Sequence, residues 1–169
     1  MKRLRQLIVI ISVLLSTSSG AEQYILSAAM LTQELSSRFP ITRVYQGVEA
    51  SFSQPKLVIK HLDDEIKIAV NISVRHKNQS LQAEGLIVDK ATIQPVSNTL
   101  RFEHPKLEEF FVTDDNMADS SEAIRVMKQT IGQTLPPIIL LELEKIELNM
   151  VGNHPTTFTL SARGLILEY

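Results

Sequence analysis

The sequence predicts an α+β fold in which a long, strongly curved antiparallel sheet wraps around one long helix. Residues 119–135 repeat apolar side chains at helical spacing, and residues 65–75 alternate apolar with polar side chains. The chain contains no cysteine, so a hydrophobic core must hold it together without disulfide bonds. Together these observations indicate one helix packed on long strands.

The long helix is predicted over residues 119–135. Asp119 is the predicted N-cap, and Glu122 stands three residues later, where it completes a capping box. Pro136 and Pro137 end the helix, because proline lacks the backbone donor and disfavours a helical residue before it. The apolar residues that recur at helical spacing are Ala123, Ile124, Met127, Ile131 and Leu135.

A shorter helix is predicted over residues 28–38, after Ser27 as N-cap and before Pro40. The clearest strand covers residues 65–75, and 11 residues extend about 36 Å, so it is expected to twist and curve. An antiparallel partner returns after a polar turn, and Gly85 marks a bulge or a close backbone approach within it. The residues on the buried face of the long strand are Ile66, Ile68, Val70, Ile72 and Val74.

The rest of the chain is mostly strand-like. Residues 105–112 read as a short apolar turn or helix, and residues 143–147 fit either a strand or a helical turn. Further strands are predicted at residues 41–52, 57–59, 91–93, 99–102, 138–141, 146–150, 158–160 and 165–167.

Residues 1–21 have the layout of a secretory signal peptide, with basic residues, an apolar run and then small residues. The apolar run, residues 7–15, has nine residues, whereas a membrane span needs about 20. Cleavage is predicted before Glu22, with Ser19 and Ala21 at the −3 and −1 positions. The alternative places Ser18 and Gly20 at these positions. Residues 22–169 then form a single exported domain.

Charge and composition exclude several classes of function. Removing residues 1–21 leaves 14 basic residues against 19 acidic ones, a formal charge of −5. Without clustered Lys and Arg, nucleic acid is not a predicted partner. The absence of cysteine excludes a lipid anchor on an N-terminal cysteine, zinc thiolate sites and thiol catalysis.

No motif for catalysis, a cofactor or a metal ion is found, so the chain is predicted not to be an enzyme. The four histidines are isolated and are predicted to be solvated: His61, His76, His104 and His154. Asp114, Asp115 and Asp119 resemble a calcium loop only in composition, and a solvated linker with a helix cap explains them. The aliphatic interior fits either an ordinary core or a cavity for acyl chains.

The order of elements resembles that of the YceB-like family of bacterial envelope proteins. The resemblance rests on Y-I-L-S at residues 24–27 before a short helix, a capped helix followed by the apolar strand at residues 137–141, and a terminal strand opened by Gly164. It implies a tubular lipid-binding (TULIP-like) fold, in which a curved sheet and a long helix enclose an apolar groove. It also implies a Gram-negative periplasmic location, soluble after signal cleavage because no lipobox cysteine is present.

The leading hypothesis is therefore a non-enzymatic module that binds a lipid or other hydrophobic small molecule between helix and sheet. The predicted groove residues are Ile68, Val70, Ile72, Ile124, Met127 and Ile131. The alternative is an envelope assembly module with a filled, cystatin-like core, in which a protein or membrane surface would meet a sheet edge or an apolar patch.

Overall fold

The computed structural model of the chain describes residues 24–77, 79–145, 155 and 157–168. Strands account for 59% of these residues and helical segments for 16%. The predicted signal segment and the predicted strand at residues 146–150 lie outside the described residues.

The described elements comprise strands β1–β11, helices α1 and α2, and one 3-10 turn. In chain order they are β1 Tyr24–Leu26, α1 Ala28–Ser36, β2 Ile41–Tyr45, β3 Val48–Lys60, β4 Glu65–His76, β5 Gln79–Asp89, β6 Ala91–Gln94, β7 Thr99–Phe102, β8 Lys106–Asp115, α2 Ser121–Thr130, β9 Ile138–Glu142, the 3-10 turn Leu143–Lys145, β10 Thr157–Ser161 and β11 Gly164–Glu168.

The strands form three antiparallel sheets. The largest has the order β2-β3-β4-β5-β8, and the two smaller ones have the orders β6-β7-β9 and β1-β11-β10. In the five-stranded sheet, one face carries the alternating apolar residues of β3, β4 and β5, which are buried, and the other face is mostly polar and is half-buried or exposed. The buried face is the main wall of the hydrophobic core.

The long alternating strand and its partner are confirmed. β4 has 12 residues and pairs with β5 without a break from Ile66↔Asp89 to His76↔Gln79. Gly85 lies where β5 and β8 approach closely, because a Cβ there would stand 2.9 Å from the carbonyl oxygen of Glu109. The chain thus needs glycine at this position.

Two of the predicted elements are wrong: the single strand at residues 41–52 and the turn or helix at residues 105–112. Residues 41–52 form a hairpin, because Gln46 and Gly47 both have positive φ, 50° and 81°, and turn β2 back onto β3. Of residues 105–112, predicted as a short turn or helix, residues 106–112 belong to the strand β8, and Pro105 precedes it.

The prediction of one long helix over residues 119–135 is wrong, and so is that of a sheet wrapped around it. α2 has 10 residues and ends at Thr130. Gly132, with φ 79°, turns the chain, and its N–H donates to the carbonyl oxygen of Leu107 at 2.7 Å. Leu135 N–H donates to Pro105 O at 2.6 Å. These donors therefore bond to the start of β8 and to the residue before it, whereas in a longer helix they would have bonded to helical carbonyl groups.

The predicted capping box is also absent. Asp119 Oδ1 accepts hydrogen bonds from the backbone N–H and the hydroxyl of Ser121, at 3.0 and 2.6 Å. Glu122 pairs with Arg125 at 2.6 Å and does not bond back to the cap. The N-cap of α2 is Ser120, and Asp119 lies one residue before it. Asp119 therefore accepts a hydrogen bond from the first-turn N–H of Ser121 without being the N-cap itself.

The short helix α1 packs against two sheets. It begins at its predicted cap, where Ser27 Oγ accepts from Met30 N–H at 3.2 Å. Leu31 and Leu35 are fully buried, and Thr32 Oγ1 accepts from the N–H of Leu57 in β3 at 3.0 Å. α1 thereby joins β3 to β9, two strands from different sheets.

Candidate functional site

The six predicted groove residues do not line a common groove. Ile68, Ile72 and Met127 are fully buried, and Val70 is 3% exposed. Ile124 is half-buried, and Ile131 lies beyond the end of α2 with 37% of its surface exposed. The structure brings the three β4 residues and Met127 into one packed core, leaves Ile124 at its margin and leaves Ile131 outside it.

The buried face of α2 is rotated from the predicted one. Its buried residues are Ala123, Val126, Met127 and Thr130. The Thr130 hydroxyl is satisfied inside the core because it donates to the carbonyl oxygen of Val126 at 2.9 Å. Ala123 and Met127 are common to both faces, whereas Ile124 and Ile131 of the predicted face are half-buried and exposed.

One void inside the described core lies between β2, β3, β5 and the approach to β9. Its volume is about 10 Å³, and it is lined by Ile41, Phe52, Ile87, Leu135, Pro136 and Ile138. A void of this size has room for about one water molecule at most, so it does not hold a lipid chain.

A larger opening lies at one end of the five-stranded sheet, and we call it the end cleft. It has a volume of about 400 Å³ and lies between the β3–β4 turn, the junction of β5 with β6, and β10. Its lining residues are Asp63, Asp64, Glu65, Ile66, Lys67, Val88, Asp89, Lys90, Ala91, Phe158 and Leu160. The ladder pairs Ile66↔Asp89 and Lys67↔Val88 fix two of its walls relative to each other.

The floor of the end cleft is apolar. Ile66, Ala91 and Leu160 are 3%, 7% and 8% exposed, and Val88 and Phe158 are half-buried. Ile66, Ala91, Phe158 and Leu160 come from β4, β6 and β10, so the floor forms where the ends of several strands meet. Val88 lies on the opposite face of the sheet, beside its cross-strand partner Lys67. An apolar floor with polar groups at the margin is the usual composition of a small-molecule site.

The rim of the end cleft is charged, and part of that charge is already paired. Lys67 Nζ lies 2.9 Å from Glu108 Oε2 and 3.5 Å from Glu65 Oε2. The hydrogen bond that Lys67 donates to Glu108 is the main reason that the pKa of Lys67 is raised above its ordinary value. Asp89 accepts the backbone N–H groups of Lys90 and His104 at 2.8 and 2.6 Å, which fixes its carboxylate at the edge of the cleft.

A second hollow, the outer groove, crosses the polar face of the five-stranded sheet. It has a volume of about 460 Å³, and its largest apolar side chain is Phe111, which is 60% exposed. Leu86 and Ala69, neighbours across β5 and β4, lie in the same groove. Its full lining is Gln54, Lys56, Ala69, Val70, Asn71, Glu84, Gly85, Leu86, Glu109 and Phe111.

Within the described parts of the chain, no group of three or more His, Asp or Glu side chains is placed to hold a metal ion. None of the helices described there is long and apolar enough to cross a membrane. The three acidic residues at 63–65 lie at the rim of the end cleft, and Glu108 and Glu109 lie next to it. Lys67 bridges Glu65 to Glu108.

Comparison of the sequence with protein-family models gives no match, and comparison with curated proteins gives no significant match. The resemblance to the YceB-like family therefore rests on the residues quoted for it.

Sequence reasoning missed the end cleft. Ala91, Phe158 and Leu160 each had a visible strand pattern, but no local pattern shows that β10 approaches the start of β4. In the sequence, the acidic turn at residues 63–65 is visible only as three adjacent acidic residues. Its position beside an apolar floor depends on contacts between residues nearly one hundred positions apart.

Proposed function

We propose that the mature chain is an exported, periplasmic, non-enzymatic module that binds the apolar part of a lipid or other hydrophobic small molecule in the end cleft. The observation that supports it most directly is the apolar floor beneath a cleft of about 400 Å³. Ligand sites commonly measure about 300–1,000 Å³, so the cleft is large enough for part of an alkyl chain.

The expected affinity is moderate. Each buried methylene gains about 0.8 kcal/mol, so eight of them gain roughly 6 kcal/mol before the costs of association are subtracted. Taken alone, that gain corresponds to a dissociation constant of about 40 μM, and the costs of association weaken the binding of a simple alkyl ligand from there. Binding should therefore be measured by calorimetry at protein concentrations of about 100 μM or more.

The test is a substitution that fills the cleft. Ala91→Phe places a ring on the floor and should weaken binding of a neutral C12 amphiphile about tenfold or more, because the ring takes the volume that the chain would occupy. Val96→Phe is the matched control, because Val96 is fully exposed and does not line the cleft. It should bind like the wild type.

Two outcomes would contradict the end cleft as the site. Either the folded Ala91→Phe protein binds as tightly as the wild type, or the wild-type protein binds no alkyl amphiphile at all. If Ala91→Phe does not fold, Phe158→Ala provides a second test, because loss of its ring removes part of the half-buried floor and should weaken binding about fivefold.

Export is tested separately. The mature chain should be recovered from a periplasmic extract with Glu22 as its first residue. A protein that keeps residues 1–21 and stays with the membrane fraction would show that this segment is an anchor.

A protein-interaction module is the second candidate, and the closed core together with the exposed Phe111 favours it. The carboxylates of β8, at Glu108, Glu109, Asp114 and Asp115, fit a basic extended segment that adds to this sheet edge. A photo-crosslinker at residue 111 should then label a Lys/Arg-rich segment of a defined envelope protein. Equal labelling from a crosslinker at residue 96 would contradict it.

A further inference from the structure

The rim charges of the end cleft indicate which head group its ligand carries, if the cleft is the ligand site proposed above. Six charged residues line the cleft: Asp63, Asp64, Glu65, Asp89, Lys67 and Lys90. Four are acidic and two are basic, so the lining has a formal charge of −2. Lys60 is the cross-strand partner of Glu65, but it does not line the cleft.

The two lysines differ in what they can offer a ligand. Lys67 is held between Glu108 and Glu65, at 2.9 and 3.5 Å, so its charge is already compensated. An anionic head group would have to compete with both carboxylates for it. Lys90 is then the one lysine of the described lining without a carboxylate partner within 4 Å.

The acidic residues of the rim leave more charge unpaired than the lysines do. Asp63 and Asp64 form the exposed β3–β4 turn, and among the described residues neither carboxylate has an ion-pair partner. Both line the cleft together with the apolar Ile66 and Leu160. A positive group attached to an alkyl chain would meet these carboxylates while the chain covers the floor.

We infer that the end cleft selects a cationic amphiphile, a small molecule with a single positive head group on an alkyl chain. The apolar floor supplies most of the binding free energy, because exposed charges contribute little in water. The rim supplies the selection among head groups. Like charge at the rim disfavours an anionic amphiphile, and the unpaired carboxylates favour a cationic one.

The experiment compares three C12 amphiphiles by isothermal titration calorimetry below their micelle concentrations. Dodecyltrimethylammonium is cationic, dodecyl maltoside is neutral and dodecyl sulfate is anionic. The wild-type protein should bind the cationic probe about fivefold more tightly than the neutral one at low salt, since each exposed carboxylate changes affinity by about two- to threefold. Raising the salt concentration should reduce this preference.

The double variant Asp63→Asn/Asp64→Asn should lose the cationic preference and keep its affinity for the neutral probe. Asparagine tolerates the positive φ of 53° at residue 64, so the turn is retained. Asp114→Asn/Asp115→Asn is the matched control, because it removes the same charge from the end of β8, whose partners are Leu81 and Gln82. It should keep the cationic preference.

The outcomes separate this inference from the proposed function. Equal affinity of the wild type for all three probes, or tighter binding of the anionic one, overturns the cationic selection and leaves the apolar site intact. An equal loss of preference in both double variants also overturns it, because net charge would then explain the effect. Failure of all three probes to bind overturns the proposed function itself.

Discussion

A methyl group added at Gly164 should strongly lower the free energy of unfolding. Gly164 opens β11 with φ 142°, a conformation that side chains rarely adopt. A Cβ built there would lie 2.1 Å from the carbonyl oxygen of Leu26 and 2.8 Å from its carbonyl carbon. Both contacts are with backbone atoms, so rotation of a side chain cannot relieve them.

The cost of Gly164→Ala has two parts. The positive φ costs about 1–3 kcal/mol for a residue with a Cβ. Relief of the clash requires β1 to move away from β11, which would expose Leu26, now 2% exposed, at a cost of about 1.5–3 kcal/mol. The expected loss in the free energy of unfolding is therefore about 3–5 kcal/mol. For a domain of this size it lowers Tm by roughly 8–15 °C.

Gly132→Ala provides the control. Gly132 also has positive φ, 79°, but a Cβ there would meet no atom within 4 Å. This substitution should cost only the backbone term, about 1–2 kcal/mol. Urea unfolding followed by circular dichroism measures both variants. If the two lose the same stability, β1 does not approach Gly164 as closely as described, and the reasoning is refuted.

Two further predictions test α2. Met127→Ala should lower the free energy of unfolding by about 2–5 kcal/mol in urea titrations, whereas Ile131→Ala should lower it by less than about 1 kcal/mol. Similar losses in the two variants would mean that Ile131 is buried like Met127, as the sequence predicts. The pKa of Asp119 lies below its ordinary value because the hydroxyl and the backbone N–H of Ser121 donate to its carboxylate. Its stabilising contribution is therefore complete above that ordinary pKa and is lost as the pH falls through the lower folded pKa. Asp119→Asn should reduce the acid sensitivity of unfolding below pH 4, and an unchanged pH dependence would contradict the bond.

The parts of the fold that could be predicted are those in which a local pattern reflects a single environment. In β4, every second residue from Ile66 to Val74 is buried, so a period of two was sufficient to place it. Ser27 was found as a cap because its side chain bonds only three residues ahead. Neither feature depends on which distant element covers it.

The strand β8 was misread for an identifiable reason. Its register against β5 shifts so that Ile87 pairs with Leu107 and Leu86 pairs with Glu109, which leaves one extra residue between them. Leu107 and Phe110, three residues apart, therefore point to the same buried side. A bulge in a strand thus reproduces the spacing of a helix, and sequence periodicity cannot separate the two.

The extent of α2 was misread because Ile131 and Leu135 continue its apolar spacing beyond its end. Gly132 was the available signal, since glycine commonly follows the last helical residue. Leu135 is buried, but its N–H bonds to Pro105 O and not to a helical carbonyl. The partner that ends the helix is thus the start of β8, which no local pattern brings close.

A ligand under α2 would have to separate the helix from the sheet. Val126 and Met127 are almost fully buried, and exposing both side chains costs about 3–6 kcal/mol. A short alkyl chain gains about that amount, so little would remain for binding, whereas the end cleft is already open. Amide hydrogen exchange in α2 should therefore be unchanged when a saturating amphiphile is added. Faster exchange there, with none of the protection expected around β6 and β10, would place the ligand between helix and sheet after all.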